Sequence, residues 1–563
     1  MKSSKKAKKA LYAGFQDFLK KNRFETIVFI LIAILMIPNF WNIYMWHDEA
    51  ETAILGKNTM QYGVPKVYDG KNLFTNFGKE VDYNSEGIWD YSSWLHFYVA
   101  AFSFMLFGIS TFSARLPFVL IGVLSFIPFV ILFRRISINS MHYRLSVLAL
   151  LLFVPYYLYS RQSRYFSLLM LSISLLLIAT HKICSEKRIA WRDAALFAVS
   201  SILIFHSNFL SFAVMIVSVS IFLFIHWIKN PKLRKELFRK GFFAYLLIFV
   251  FAFPFALYAD AFGRAQSRGT LDDFVIRKID FIFHSINSNM PLILLMAACL
   301  AAAFYYFRKE GSEVKGKVYF SLFFSIVPIA LLLFPRYSDA RYITGMFPVW
   351  ISFALLTAVF LLKSKKTAMK AAGIAVLALF LLTNFFYAAS FYPFILGSGI
   401  IEDKCHTLMP QKGEFCGKWI DENFARQAKI SFPFFYYLYE ITHDYDGPTE
   451  GISKYLLENG TPDSVVFANL KYTAELQFYT GMKVLGEFEY KETEIVPDFI
   501  VIDSPDRLDI GRVAYLVNYA ESRDYRKVEL PYPDIPWENR PVLYYHKFWT
   551  QPVIVPAVVY VRE

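Results

Sequence analysis

The sequence predicts an all-α polytopic membrane domain of about eleven transmembrane helices, followed by a C-terminal α/β extracytoplasmic domain. Composition is the first indication, because 56% of the 563 residues are hydrophobic and 19% are aromatic, unlike an ordinary soluble protein. The second is a series of apolar runs between residues 26 and 391, each able to cross a hydrocarbon core of about 30 Å. The third is the return of Gly, Pro, Asp and Glu after residue 391, with strand-like runs at 464–469 and 498–502.

Basic residues predict the orientation of this chain, because Lys and Arg collect in cytoplasmic loops. The basic clusters lie at 2–23, 134–144, 182–192, 229–240, 308–317 and 363–370. We therefore predict a cytoplasmic tail (1–23), a membrane domain (24–391) with a first outer loop (46–93), and an extracytoplasmic domain (392–563). The first apolar run lacks a small-residue cleavage site, so we expect it to remain as an anchor. This topology accounts for the net charge of +13, and no nucleic-acid partner is expected.

Two stretches do not fit the simple alternation of crossings. Parity allows one crossing between residues 93 and 134, so we expect Trp94 to Phe107 to lie along the outer interface while the next run crosses. The run from 194 to 228 must cross twice, so its first leg is expected to be short and to place His206 below the surface. In the C-terminal domain, Cys405 and Cys416 are either a small disulfide loop or two free thiols.

The first outer loop opens with a cluster of carboxylates. Trp46, His47, Asp48, Glu49 and Glu51 precede a helical stretch that should stop at the Gly-then-Pro pair of residues 63 and 65. Asp48 as the N-cap of this helix, with Glu51 as its capping-box partner, is the structural reading. Capping does not explain Glu49 or the concentration of three acids at the membrane surface, so the sequence favours a functional site.

Two later outer turns carry arginine where positive charge is normally scarce. They are 159–165, with Arg161, Arg164 and Tyr165, and 335–342, with Arg341 and Tyr342. Arginines that snorkel to lipid phosphates beside interfacial tyrosines are the ordinary alternative. Two such turns on the same face as the carboxylates favour an anion-binding site instead.

In this combination the sequence resembles the GT-C glycosyltransferases, specifically the protein O-mannosyltransferase and aminoarabinose transferase-like group called glycosyltransferase family 39. The resemblance covers roughly residues 24 to 363 and depends on the order of its motifs on one face. The matching motifs are Asp48-Glu49-Ala50, Gly63-Val64-Pro65, Phe107-Gly108, Arg115-Leu116-Pro117, Arg161 to Tyr165, and Arg341-Tyr342 with Pro348. The usual His-Pro-Pro is replaced by Ser93-Trp94-Leu95-His96, and an Asp that some relatives carry after the second outer arginine is absent.

The resemblance implies a GT-C enzyme that moves one sugar from a polyprenyl monophosphate to a hydroxyl acceptor on the outer face. The acceptor hydroxyl loses its proton as it attacks, so a carboxylate must stand within reach, and Asp48 is the expected base with Glu49 in an orienting role. The leaving phosphate gathers negative charge, which arginine forks match. The expected donor-phosphate residues are Arg161, Arg164, Tyr165, Arg341 and Tyr342. A single displacement predicts inversion at the anomeric carbon.

No obligatory cofactor is expected. Asp48, His47 and His206 around a divalent metal are the alternative, but no closely spaced ligand motif supports it. Trp46, His47 and His206 are therefore expected to line the site or the acceptor path. The C-terminal domain is expected to cover the outer mouth of the site and to help select the acceptor.

Other functional classes make different demands on the sequence. A flippase or transporter of lipid-linked glycans needs charged groups near the bilayer midplane, whereas charge here stands at segment ends. The short outer loops around the arginines do not exclude an oligosaccharide ligase or polymerase, which would move whole lipid-linked glycans. The expected partners are a polyprenyl-phosphate sugar, membrane lipids and a protein, lipid or glycan acceptor. The expected location is the bacterial plasma (inner) membrane.

Overall fold

The computed structural model describes most of the chain in several ranges. These are residues 21–78, 81–186, 188–259, 277–279, 281–307, 311–335, 338–389, 430–486, 489, 491, 493–502, 510–535, 537–543 and 545–563. The predicted alternatives for Cys405 and Cys416 lie outside these ranges.

Every apolar run predicted to cross the membrane contains a helix. In chain order the helices of this domain are α1 (Arg23–Met36), α2 (His47–Tyr62), α3 (Leu95–Phe107), α4 (Thr111–Ile136), α5 (Ser140–Leu151), α6 (Val154–Ser160), α7 (Phe166–Ser185), α8 (Trp191–Ser207), α9 (Phe209–Lys229), α10 (Arg234–Tyr258), α11 (Leu292–Phe307), α12 (Ser312–Leu331), α13 (Phe347–Leu362), α14 (Thr367–Leu382) and α15 (Phe385–Ala389). Six helices in the described ranges are long and apolar enough to span a membrane, or up to eight if each of two bent pairs is one span. The chain is an integral membrane protein, and the number of crossings and their orientation stay predictions.

The two ambiguous stretches form distinct helices. Asn208 separates α8 from α9, and its side chain caps α9 by accepting from the Ser211 amide. The first leg has 17 residues against 21 in the second, in line with the expected short leg. Helix α3 packs closely on α2, where Gly56 leaves no room for a larger side chain beside Ala100. Whether α3 lies along the membrane interface stays a prediction.

The start of α2 corrects one expectation. Its C-terminal stop is as predicted, with Gly63 in the left-handed conformation at φ 78°. Its N-cap, however, is Trp46, which makes no side-chain cap, and the helix begins at His47. Asp48 is therefore not the N-cap, and Glu51 is not its capping-box partner. Both carboxylates are instead held by arginines, because those side chains reach this helix from other elements.

The C-terminal domain is α/β, as predicted. Its elements are α16 (Pro433–Glu440), α17 (Pro448–Asn459), β1 (Val465–Ala468), α18 (Leu470–Thr480), β2 (Lys483–Leu485), β3 (Phe499–Ile502), α19 (Ile510–Glu521), β4 (Tyr525–Pro533) and β5 (Pro556–Arg562). The five-stranded sheet has the order β2-β1-β3-β5-β4, with parallel pairs at β2-β1-β3 and antiparallel pairs at β3-β5-β4. Helices α17 and α18 cover one face and α19 the other, so both faces of the sheet are buried.

This domain contacts the C-terminal end of α1 and packs against α2. Helix α18 packs against α2, and Tyr479 at its end stacks on Tyr44 with ring centroids 4.0 Å apart. The Asn72 side chain in the first outer loop donates to the Met482 carbonyl at 2.9 Å and accepts from the Val484 amide at 2.8 Å. The loop thereby covers the edge strand β2, which would otherwise present unpaired backbone groups.

Candidate active site at the domain interface

Asp48 is the partly exposed carboxylate of the cluster, with 17% of its side chain exposed. In the run from Met45 to Glu51 it is the one side chain that is not buried. Its Oδ2 accepts from Arg341 Nη1 at 2.7 Å and lies 3.6 Å from Arg164 Nη2. Among the described residues, none donates a hydrogen bond to Oδ1. Asp48 therefore presents one oxygen that is open to a substrate, while two cations from separate turns hold the other.

The charges around Asp48 keep it ionised. Burial alone would raise the pKa of this carboxyl, but Arg164, Arg341 and His47 together lower the pKa below its usual value. An acid that stays ionised at neutral pH can accept a proton in that range.

Glu49 occupies a different environment from Asp48. It is fully buried, and Arg115 grips it with a fork, Nε to Oε1 at 2.7 Å and Nη2 to Oε2 at 2.6 Å. The Ser163 amide donates to Oε1 at 2.8 Å and the Asn539 side chain to Oε2 at 3.0 Å. Both oxygens of Glu49 are thus occupied by protein donors, and its expected orienting role stays a prediction.

Glu51 fixes the first of the two arginines at Asp48. Its Oε1 accepts from Arg164 Nη1 at 2.5 Å, and the same Arg164 nitrogen lies 3.1 Å from Thr52 Oγ1. Arg164 is nearly buried, and its guanidinium lies over the Tyr165 ring at 5.6 Å. This arginine is therefore held between two carboxylates of α2.

The second arginine is positioned by a short 3₁₀ turn, Ala340–Met346. Asp339 caps this turn by accepting from the Arg341 amide at 3.0 Å. Gly345 then allows the turn to pack directly on α7, which also follows the Arg161–Tyr165 turn. Helix α7 is thus the common support that brings the Arg341 and Arg164 side chains to the same carboxylate.

Arg161 is not brought to Asp48. Its Nη1 donates to Glu440 Oε1 at 2.8 Å, its Nη2 to the Pro38 carbonyl at 3.2 Å, and its guanidinium lies 5.5 Å from the centre of the Tyr437 ring. His546 Nε2 completes the group at 2.6 Å from Glu440 Oε2. The charge of Arg161 is therefore committed to the C-terminal domain, which corrects its expected place among the phosphate ligands.

Trp46 helps to hold the Arg161–Tyr165 turn in place. Its indole Nε1 donates to the Gln162 side-chain oxygen, and the Gln162 amide nitrogen donates to the Asn539 carbonyl at 3.1 Å. The segment around Asn539 thus reaches from the C-terminal domain to the Arg161–Tyr165 turn. Beside it, Trp537 adopts φ 58°, a left-handed conformation that is uncommon outside glycine and typical of functional loops.

Of the remaining candidates, two lie beside the arginines at Asp48 and one does not. Tyr165 is buried beside Arg164, and the Tyr342 ring lies 5.4 Å from the Arg341 guanidinium, so both tyrosines border the two arginines. His206 lies elsewhere, with its Nε2 3.1 Å from the Phe251 carbonyl and its ring packed on Phe255. The structure therefore does not bring His206 to Asp48.

His47 is buried between the two domains. Its Nε2 lies 2.6 Å from the Asn76 side-chain oxygen and its Nδ1 lies 3.8 Å from Glu475 Oε2. Within the described ranges, no group of three or more His, Cys, Asp or Glu residues is arranged to hold a metal ion. The expected independence from a metal stays a prediction.

The C-terminal domain supplies the site residues that sequence reasoning missed. Glu440, Glu475, Asn539 and His546 come from segments with no recognisable motif, and each reaches a partner more than a hundred positions away. Arg115 belonged to a motif of the resemblance, but its partner Glu49 became evident only from the structure.

Comparisons with known proteins address the fold. No protein-family model matches the chain, and no curated protein sequence matches it. The crystal structure of ArnT from Cupriavidus metallidurans bound to undecaprenyl phosphate is similar over 95% of this chain and 97% of that chain, with 12% identity and a TM-score of 0.50. An oligosaccharyltransferase from Archaeoglobus fulgidus, in complex with Zn and sulfate, is similar over 93% of this chain and 76% of that chain, with 12% identity and a TM-score of 0.48. The similarity to ArnT confirms the GT-C fold that the sequence motifs predicted.

Proposed function

We propose that this chain is a membrane glycosyltransferase that passes one sugar from a polyprenyl-phosphate donor to a hydroxyl acceptor at the outer membrane surface. The observation that carries the proposal is the meeting of Asp48 with Arg164 and Arg341, one partly exposed carboxylate beside two guanidiniums. The donor class is supported by the similar fold of ArnT, whose structure holds undecaprenyl phosphate. The bacterial plasma membrane, with the site facing outward, is part of the proposal.

Asp48 is the general base in this proposal. The acceptor hydroxyl approaches Oδ1, which receives no hydrogen bond from the described residues, and gives its proton to that oxygen as it attacks the anomeric carbon. The bond from the anomeric carbon to the phosphate oxygen breaks, and the electron pair leaves with the polyprenyl phosphate. One displacement inverts the anomeric configuration.

Arg164 and Arg341 receive the phosphate. Guanidinium groups offer paired donors to phosphate oxygens and stabilise the charge that the departing phosphate gains, so this weakly basic leaving group needs no general acid. Tyr165 and Tyr342 border these arginines and complete the wall of the phosphate site. Arg161 is left out of this set because it pairs with Glu440 of the C-terminal domain and has no contact with Asp48.

Glu49 is a positioning residue in this mechanism. Through the Ser163 amide it fixes the turn that carries Arg164, and through Arg115 it anchors that turn to α4. Arg115 also donates to the carbonyls of Phe40 and Ile43 at 2.9 and 2.7 Å. The segment that connects α1 to α2 is thereby held to the same arginine as Glu49.

The test compares the wild type with Asp48→Asn in detergent, using radiolabelled polyprenyl-phosphate sugars and measuring transfer or slow hydrolysis. Loss of a general base should lower turnover by about 10²- to 10⁴-fold while the binding of undecaprenyl phosphate persists. The matched control is Asp463→Asn, an exposed aspartate in a turn of the C-terminal domain, which should leave turnover unchanged. Equal turnover in the wild type and Asp48→Asn would remove Asp48 from the mechanism.

A further inference from the structure

The hydrogen-bond network around His47 determines where its protons are. Asn76 Nδ2 lies 3.0 Å from Glu51 Oε2, and a carboxylate accepts, so this nitrogen must donate. The orientation of the Asn76 amide is thereby fixed, and its Oδ1 must accept the hydrogen of His47 Nε2 at 2.6 Å. His47 Nε2 is therefore protonated in any arrangement of this network.

The other ring nitrogen faces a carboxylate across the domain interface. His47 Nδ1 lies 3.8 Å from Glu475 Oε2 on α18, and the Glu475 side chain is 1% exposed. A neutral ring with its hydrogen on Nε2 would turn a lone pair toward that acid. A hydrogen on Nδ1 as well removes this repulsion and makes the ring an imidazolium.

The charged neighbours of His47 come from every element packed around it. They are Asp48 and Glu51 on α2, Asp82 behind Asn76 in the first outer loop, Glu475 on α18, Glu538 and Arg540 in the segment after β4, and Arg164 and Arg341 on the two outer turns. Burial lowers the pKa of His47, but Glu475 and Asp48 overcome it and raise the pKa to about 9. Burial also raises the pKa of Glu475, while the contact with His47 lowers it, so burial opposes the charge on both partners and their contact favours it.

We propose that Glu475 of the C-terminal domain is a positioning residue that holds His47 as a cation beside Asp48, so that this domain completes the anion-binding site. The inference rests on the proposed binding of a polyprenyl phosphate by Arg164 and Arg341. His47 adds a third positive group at the edge of this pair, and Arg164, Glu51, Asn76, His47 and Glu475 form one continuous chain of contacts. The C-terminal domain is thereby more than a cover over the site.

The test measures the binding of undecaprenyl phosphate in detergent micelles from pH 6 to pH 10 for the full-length wild type, Glu475→Gln, Glu475→Asp and Glu521→Gln. The last is a control at an exposed glutamate on α19. We expect wild-type affinity to fall near pH 9 and the fall in Glu475→Gln to move toward the ordinary histidine value of about 6.5, leaving that variant about three- to tenfold weaker at pH 8. Both proteins should bind equally at pH 6, and Glu475→Asp should restore part of the shift.

An unchanged midpoint in Glu475→Gln would overturn the inference while leaving the proposed function intact, because a purely structural role for Glu475 does not move a titration.

If no protein binds undecaprenyl phosphate at any pH, the proposed function fails. Thermal melting then shows whether the His47–Glu475 pair still forms. Its stabilisation should be full below about pH 6.5 and disappear above pH 9, since the folded pKa lies above the unfolded one. A pair detected by melting without lipid binding would be a domain contact only, and the inference would be wrong.

Discussion

The three acidic residues Asp48, Glu49 and Glu51 lie within four positions, yet each has a different environment. Asp48 points to accessible space, Glu49 is enclosed by Arg115, and Glu51 holds Arg164. Successive residues of a helix point in directions about 100° apart, so neighbouring carboxylates cannot share one environment. The division of roles follows from this geometry, and it could be anticipated from the sequence only as the statement that Asp48 and Glu49 act separately.

Arg341 offers a direct test of the phosphate site at the scale of one residue. Arg341→Gln removes a charged donor that is 27% exposed and therefore reachable by a ligand. We expect undecaprenyl phosphate to bind about 10- to 100-fold more weakly, since hydrogen bonds to charged groups contribute about 1.5–3 kcal/mol. Equilibrium binding in detergent measures this.

The matched control for that substitution is Arg562→Gln. Arg562 forms an ion pair with Asp498 on the surface of the C-terminal sheet, where its side chain is 46% exposed. This variant should bind the lipid like the wild type. Unaltered binding by Arg341→Gln itself would exclude Arg341 from the phosphate site.

Individual residues were predictable where the resemblance named them in order. Asp48, Arg164 and Arg341 were expected to converge, and the structure brings them together. Arg161 was expected with them, and its diversion to Glu440 depends on a partner 279 positions away that no local pattern announces. Sequence patterns can assign a side chain to a face of the membrane, but not the partner it meets there.

At the scale of elements, α7 is the support for both arginine turns. The Arg161–Tyr165 turn leads into this helix, and the Ala340–Met346 turn packs against it through Gly345. A Cβ at position 345 would lie 2.5 Å from the Leu169 carbonyl oxygen and would also overlap Ile173. The distance between Arg164 and Arg341 therefore depends on the absence of a side chain at residue 345.

Gly345→Ala should separate this turn from α7. We expect a loss of stability of about 1–3 kcal/mol, as for other overpacked sites, together with lower transferase activity because Arg341 moves away from Asp48. Melting temperature and turnover in the same detergent measure both effects.

Gly316→Ala is the control, since a Cβ there meets nothing within 4 Å on the exposed side of α12. This substitution should keep or raise the melting temperature, because alanine favours a helix by about 0.8–1 kcal/mol over glycine. Equal melting temperatures for Gly345→Ala and the wild type would show that the packing at α7 is loose.

Elements were predictable to the extent that hydrophobic runs and stop signals determine them. The Gly63 stop, strands β1 and β3 and a helix in every apolar run were expected and are present. The N-terminus of α2 was not, because Asp48 has the chemistry of a cap but sits one position inside the helix. Three-dimensional partners, here the two arginines, overrode the local preference of that residue.

For the whole molecule, a buried ionic group joins the two domains. Arg161 from the membrane domain and His546 from the C-terminal domain both contact Glu440, and all three side chains are at most 8% exposed. Burial raises the pKa of Glu440, and His546 and Arg161 overcome this and lower it. The two domains are thereby fixed relative to one another beside the active site.

Arg161→Met should weaken this junction. The change leaves Glu440 buried without its arginine partner, and breaking a buried pair costs about 3–5 kcal/mol. We expect a lower melting temperature and faster proteolytic release of the C-terminal domain. Adding Glu440→Gln to Arg161→Met should recover part of the loss.

Arg562→Met serves as the control for this experiment, because an exposed pair contributes about 0–1 kcal/mol. A melting temperature for Arg161→Met that matches this control would mean that the domains are joined by other contacts.

The division into a membrane domain and an α/β domain was predictable from the composition of the sequence. The junction was not, since no local pattern links Arg161 to Glu440 or to His546.

The hydrogen bond between Asn539 and Glu49 spans 490 positions of the chain. At about 5–20 residues per second, a ribosome needs roughly 25 to 100 s to pass from one partner to the other. Glu49 on α2 therefore lacks its Asn539 donor until nearly the whole chain has been synthesised and the C-terminal domain has folded. The contact between the two domains beside Glu49 is thus among the last to form as the chain is made.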